Sequence, residues 1–123
     1  MAYQVKWMPN AQSQRKEILH YGLQAFGLNA ARKMRESIIH MADLLERNPY
    51  MGMQEPLLSH YTYTYRSFVF HANYKLVYRV DEATYTIIVV AIWDTRREPK
   101  SLANDIDLSL IHISEPTRLR CIS

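Results

Sequence analysis

Residues 65–97 read YRSFVF-HAN-YKLVYRV-DEAT-YTIIVVAIWDTRR. Three runs rich in β-branched and aromatic residues are divided by two short polar connectors, the pattern of a strand meander. The last run, Thr86 to Ile92, is apolar at nearly every position. A strand of that composition has both faces covered, which places it in the middle of a sheet. The middle run alternates, with Tyr74, Leu76, Tyr78 and Val80 on one side and Lys75, Val77 and Arg79 on the other. Arginines recur along and just beyond the meander at Arg66, Arg79, Arg96 and Arg97. The expectation is a sheet covered on one face by everything upstream and left partly open and cationic on the other.

The chain around this stretch supplies the cover. Tyr3 to Met8 alternates, with Tyr3, Val5 and Trp7 facing one way, and reads as a half-buried strand ended by Pro9. A first helix follows, with Ile18, Leu19, Gly22, Leu23 and Phe26 on its apolar face, Asn10 or Ser13 at its start and Gly27 at its end. A second begins at Asn29. Its stripe is Ala31, Met34, Ile38, Met41, Ala42 and Leu45, and Asn48-Pro49 stops it because the residue before proline is pushed out of the helical region. Two amphipathic helices so closely joined form an antiparallel hairpin whose shared apolar face needs a sheet. The fold class is therefore α+β in two layers: N-terminal strand, α-helical hairpin, then antiparallel meander. Residues 50–60 carry no period and form the longest irregular stretch, the kind of segment on which functional groups concentrate.

At 123 residues the chain is one domain, spanning about 1–105. Residues 109–123, SLIHISEPTRLRCIS, continue no earlier pattern and read as a non-native or disordered tail. The hydrophobic share of 48% and charged share of 22% are those of an ordinary soluble domain. A net charge of +3 permits an acidic or nucleic-acid partner without requiring one. No apolar run is long enough for a membrane span, the opening segment lacks the apolar core of a secretion signal, and the single cysteine, Cys121, has no partner for a disulfide. A cytoplasmic protein without metal or cofactor is expected.

The order strand, helix hairpin, meander, together with Asn48-Pro49, Gly52, Glu55-Pro56-Leu57, Tyr65-Arg66-Ser67, Tyr74-Lys75-Leu76-Val77-Tyr78 and Trp93-Asp94-Thr95-Arg96, resembles the RelE/ParE superfamily of bacterial type II toxin–antitoxin toxins. The likeness runs from about Tyr3 to about Leu102. It implies a two-layer fold with an antiparallel sheet, a cognate antitoxin that wraps the toxin, and one of two targets. RelE- and YoeB-like members cut messenger RNA on the ribosome, whereas ParE-like members poison DNA gyrase and are not nucleases. An inactive member that only binds its antitoxin is the remaining alternative.

RNA cleavage through the 2′-hydroxyl needs a base, an acid and cations on the phosphate. By the resemblance, Glu55 stands where YoeB-like members carry their glutamate base and Arg66 where the ribonucleases carry a phosphate-binding arginine. Their closing histidine–tyrosine pair is replaced here by Asp94-Thr95-Arg96, and arginine is a poor proton donor. His71, the histidine of the meander, is the substitute acid. Arg66, Lys75, Arg79, Arg96 and Arg97 are candidates for nucleic-acid or target binding, with Lys100 beside them. Tyr61, Tyr63, Tyr74 and Tyr78 are candidates for stacking on bases, though tyrosine is also a common packing residue of strands. Met51, Met53, Leu57 and Leu58 are candidates for antitoxin contact.

Overall fold

The structure, a computed structural model, describes residues 3–71 and 73–95. Arg96, Arg97, Lys100 and the segment 109–123 lie outside the described residues. The chain forms strand β1 (Gln4–Trp7), helices α1 (Pro9–Phe26) and α2 (Leu28–Arg47), a short strand β2 (Met53–Gln54), and the meander β3 (Arg66–Phe70), β4 (Tyr74–Asp81) and β5 (Thr86–Asp94). The five strands make one sheet in the order β1-β5-β4-β3-β2.

The meander is antiparallel, but β1 joins β5 in parallel, with Val5 beside Ile87 and Trp7 beside Val89. The sheet is therefore mixed. The helical hairpin intervenes between β1 and the meander, and a long connection of that kind is what parallel pairing requires. β5 is buried on both faces along Ile87–Trp93, as its uniform composition dictates.

That strand also carries a bulge. Val77 pairs with Ala91 and Tyr78 with Val89, which leaves Val90 as an extra residue. Val90 and Ala91 consequently turn to the same side, together with Ile88 and Trp93. Ile87, Val89 and Ile92 turn to the other, where Met34, Ile38, Met41 and Leu45 of α2 and Ala11 of α1 close the main core over Leu76 and Tyr78.

The helix boundaries follow other signals than Asn10, Ser13 and Asn29. α1 starts directly at Pro9, after Met8, with no side-chain cap. Proline suits a first helical position because its missing N–H would have had no acceptor there. Gly27, at φ +96°, joins the two helices. Its N–H donates to the Leu23 carbonyl, closing α1, and its own carbonyl accepts from Ala31 N–H, opening α2. Asn48 ends α2 as expected. The apolar face read for α1 is buried only in part. Ile18 and Leu19 pack on the core, but Leu23 is exposed and Phe26 is 71% exposed. Between the end of α1 and the β3–β4 turn lies an unfilled groove of about 270 Å³, with Phe26 among its lining residues.

The second face of the sheet is not open. Val77, Ile88, Val90 and Trp93 present apolar surface there, and Leu58 and Tyr65 from the irregular segment bury against it. A strand that is apolar on both faces needs two covers, and residues 48–65 provide the second. Among the described residues no helix is long and apolar enough to cross a membrane.

Candidate functional site

Glu55 is the pin of that second cover. It is 3% exposed and both carboxylate oxygens are engaged. Oε1 accepts from the Ser67 hydroxyl and the Lys75 ammonium, each at 2.7 Å, while Oε2 accepts from the Leu57 N–H at 3.0 Å. The backbone of Glu55 adds to this, donating to the Tyr65 carbonyl and accepting from Leu58 N–H. Its side chain thus caps the 3-10 turn Pro56–Leu58 while tying it to β3 and β4. Burial pushes the Glu55 pKa up, but the hydrogen bonds from Lys75, Ser67 and Leu57, with the charge of Lys75, outweigh it and hold the carboxyl below the usual carboxylate range. Lys75, expected on a cationic surface, is committed to this ion pair.

Arg66 and Arg79 do come together. They line one depression of about 400 Å³ at the end of the sheet where β3 begins and β4 finishes. Side chains from either face of a sheet reach such an end. Arg66 donates from Nη1 to the Gly52 carbonyl at 2.7 Å and lies over the Tyr50 ring, 5.1 Å from its centroid. Arg79 is 8% exposed, lies 4.0 Å from the centroid of the Tyr63 ring, and finds no hydrogen-bond acceptor for its buried Nε among the described residues. Tyr50 hydrogen-bonds the Glu82 carboxylate across the rim. That bond is the main cause raising its phenol to about 12.

His71 stands apart from these groups. It follows β3 at the opposite end from Arg66, about 17 Å away at the usual rise of a strand. It lines the groove beside Phe26 and Tyr74. Of the loop residues read as antitoxin contacts, Met53, Met51 and Leu57 are exposed, Met53 at 79%. Leu58 is buried, 1% exposed, and belongs to the core beneath the loop. Of the tyrosines read as base-stacking candidates, Tyr78 is buried with its hydroxyl accepting from Gly52 N–H, Tyr61 and Tyr74 pack against the two core clusters, and Tyr63 stays exposed.

Tyr50, Gly52 and Glu82 were not singled out for this site. Only contacts separated by many residues reveal them: Tyr50 with Glu82 is 32 positions apart, and Gly52 with Tyr78 is 26. Gly52 was legible as one of the residues that carry the family resemblance, but the close approach that demands glycine there was not.

A family model described as the ParE toxin of type II toxin–antitoxin systems, parDE, matches residues 5–99. No curated protein matches the chain. Several solved structures share its fold, two toxin–antitoxin systems among them. One is the chromosomal ParDE toxin–antitoxin system from P. aeruginosa, 19% identical, with a TM-score of 0.58 over 73% of this chain and 92% of that one. The other is the toxin–antitoxin complex RelBE2 from Mycobacterium tuberculosis, 16% identical, with a TM-score of 0.50 over 75% of this chain and 96% of that one.

Proposed function

This chain belongs to the ParE toxin family of type II toxin–antitoxin systems, and from that premise we propose that it arrests bacterial growth by binding its target, DNA gyrase, and that a cognate antitoxin neutralises it. The observation that carries the binding reading over the ribonuclease reading is the state of Glu55. A general base needs a free lone pair aimed at the proton it removes and a pKa near the working pH. Glu55 is buried, already accepts from Ser67, Lys75 and Leu57 N–H, and is held ionised with its pKa below the usual carboxylate range, away from the working pH. His71, the candidate acid, is a full strand length from Arg66. Neither group is placed for acid–base work on a phosphate bound at Arg66.

Antitoxin contact is assigned to the exposed apolar side chains Met51, Met53 and Leu57 of the loop. Burying exposed apolar surface of this kind favours association, and methionine adapts to an irregular partner surface.

Induced expression of the chain, with and without Glu55→Gln, tests the reading. Growth arrest with gyrase-linked DNA breaks and intact messenger RNA supports it. Ribosome-bound message cut by the purified protein overturns it in favour of the nuclease, and cuts that persist in a folded Glu55→Gln protein would leave Glu55 out of that chemistry.

A further inference from the structure

We propose that Arg66, Arg79, Tyr50, Tyr63 and Glu82 form a binding site for a nucleotide unit, with its phosphate on the two guanidinium groups, its base against the tyrosine rings and its ribose hydroxyls on the carboxylate. The inference does not depend on which target the toxin acts upon, since binding at this site supplies no acid or base.

Arg79 is the first reason. Guanidinium stays charged at any pH a protein meets. Here it is more than nine-tenths buried and, among the described residues, its Nε hydrogen has no acceptor. No salt bridge joins it to a carboxylate among the described residues, where the ion pairs are Arg47 with Asp43 and Lys75 with Glu55. A buried donor on a permanent cation is costly unless something accepts from it. Arg66 lines the same depression and, among the described residues, spends one of its donors, on the Gly52 carbonyl. Two guanidiniums with unspent donors that line one depression are suited to a phosphate group, which takes paired N–H donors.

The rest of the lining says what the phosphate is attached to. Each guanidinium is backed by a tyrosine ring, which fixes its plane and adds stacking surface. Tyr63 is itself 44% exposed, leaving ring surface for a planar base. Glu82 would repel a bare anion lodged beside it, but a carboxylate at the rim is an acceptor for sugar hydroxyls, the use acidic residues serve in dinucleotide sites. An acidic peptide would answer the two arginines and leave the rings and Glu82 unused. The depression, about 400 Å³, is within the range of small-ligand sites.

Calorimetric titration of the purified full chain with AMP, adenosine, inorganic phosphate and a short single-stranded oligonucleotide tests the site. Saturable AMP binding is expected, with adenosine and inorganic phosphate each weaker by about tenfold or more. Arg66→Ala should weaken AMP by about ten- to a hundredfold. Tyr63→Leu, which keeps an apolar platform under Arg79, should weaken AMP while sparing inorganic phosphate. Arg79→Lys, checked for folding by circular dichroism, should weaken both. Displacement of AMP by the oligonucleotide assigns the natural ligand to nucleic acid, and failure to displace assigns it to a free nucleotide. AMP binding no tighter than inorganic phosphate, or unchanged by Arg66→Ala and Tyr63→Leu, overturns the proposal.

Discussion

Gly52 donates its N–H to the phenolic oxygen of Tyr78 at 2.9 Å, while its carbonyl accepts from Arg66. One residue of the irregular segment is thereby fixed, through the two peptide groups that flank it, to the buried centre of β4 on one side and to the first residue of β3 on the other. A Cβ at position 52 would stand 2.9 Å from both the Ser67 carbonyl oxygen and the Tyr78 hydroxyl oxygen. The carbonyl belongs to a paired strand and cannot give way. Gly52→Ala should destabilise the fold by about 1–3 kcal/mol, seen as a lower thermal midpoint. Tyr78→Phe should cost about as much, roughly 1–3 kcal/mol, by leaving the Gly52 N–H buried without an acceptor.

Stability should fall in acid through Glu55. Its folded-state pKa lies below the ordinary 4.5, so folding favours the ionised form. The contribution is complete above the unfolded value and disappears as pH drops through the folded one. Thermal midpoints of the wild type should therefore decline below about pH 4.5, and those of Glu55→Gln should decline less over the same interval. At neutral pH Glu55→Gln should itself cost about 1.5–3 kcal/mol, because it weakens charge-assisted bonds to Lys75 and Ser67. Equal acid sensitivity in the two proteins would contradict this.

Tyr50 should titrate late. Its hydrogen bond to Glu82, aided by that carboxylate's charge, raises the phenol from 10.0 to about 12. Phenolate absorbance followed against pH should show a tyrosine transition near 12 that moves back toward 10.0 in Glu82→Gln. A transition unmoved by that substitution would mean that the rim contact is absent in solution.

Leu58 and Met53 lie five residues apart and should behave oppositely. Leu58→Ala empties a packed position under the loop and should destabilise by about 2–5 kcal/mol. Met53→Ala removes an exposed side chain and should change stability by no more than about 0.5 kcal/mol. If the loop meets an antitoxin as proposed, Met53→Ala should instead speed dissociation of the purified complex, measured by surface plasmon resonance.

The order of elements was legible because hydrophobic period carries it. The stripe Met34, Ile38, Met41, Leu45 and the alternation of β4 each have a single reading, and both faces of β4 are as the alternation placed them. β5 was legible in its burial and illegible in its geometry. A run of Ile, Val and Ala looks the same with or without an extra residue, so the bulge at Val90 leaves no mark in composition. The parallel pairing of β1 was hidden for a similar reason, since the side facing the core is the same for either direction. At the site, Glu55 could be read as a carboxylate in a loop, but its meaning depends on Ser67 and Lys75, which reach it from other strands. Chemistry assembled across such separations has no local period to betray it.

The bulge has a bearing on how this strand tolerates changes of length. In a regular strand, loss of one residue inverts every side chain beyond the cut, exchanging inner for outer. β5 carries one residue more than its neighbour β4 has places for. Removal of Val90 would let Ala91 and Val89 close into an even ladder, with Ile92 and Trp93 keeping their present orientations. The strand holds a spare in its register: removing Val90 would cost the core a buried side chain but would leave inner and outer faces beyond it in place, which no deletion within β4 would do.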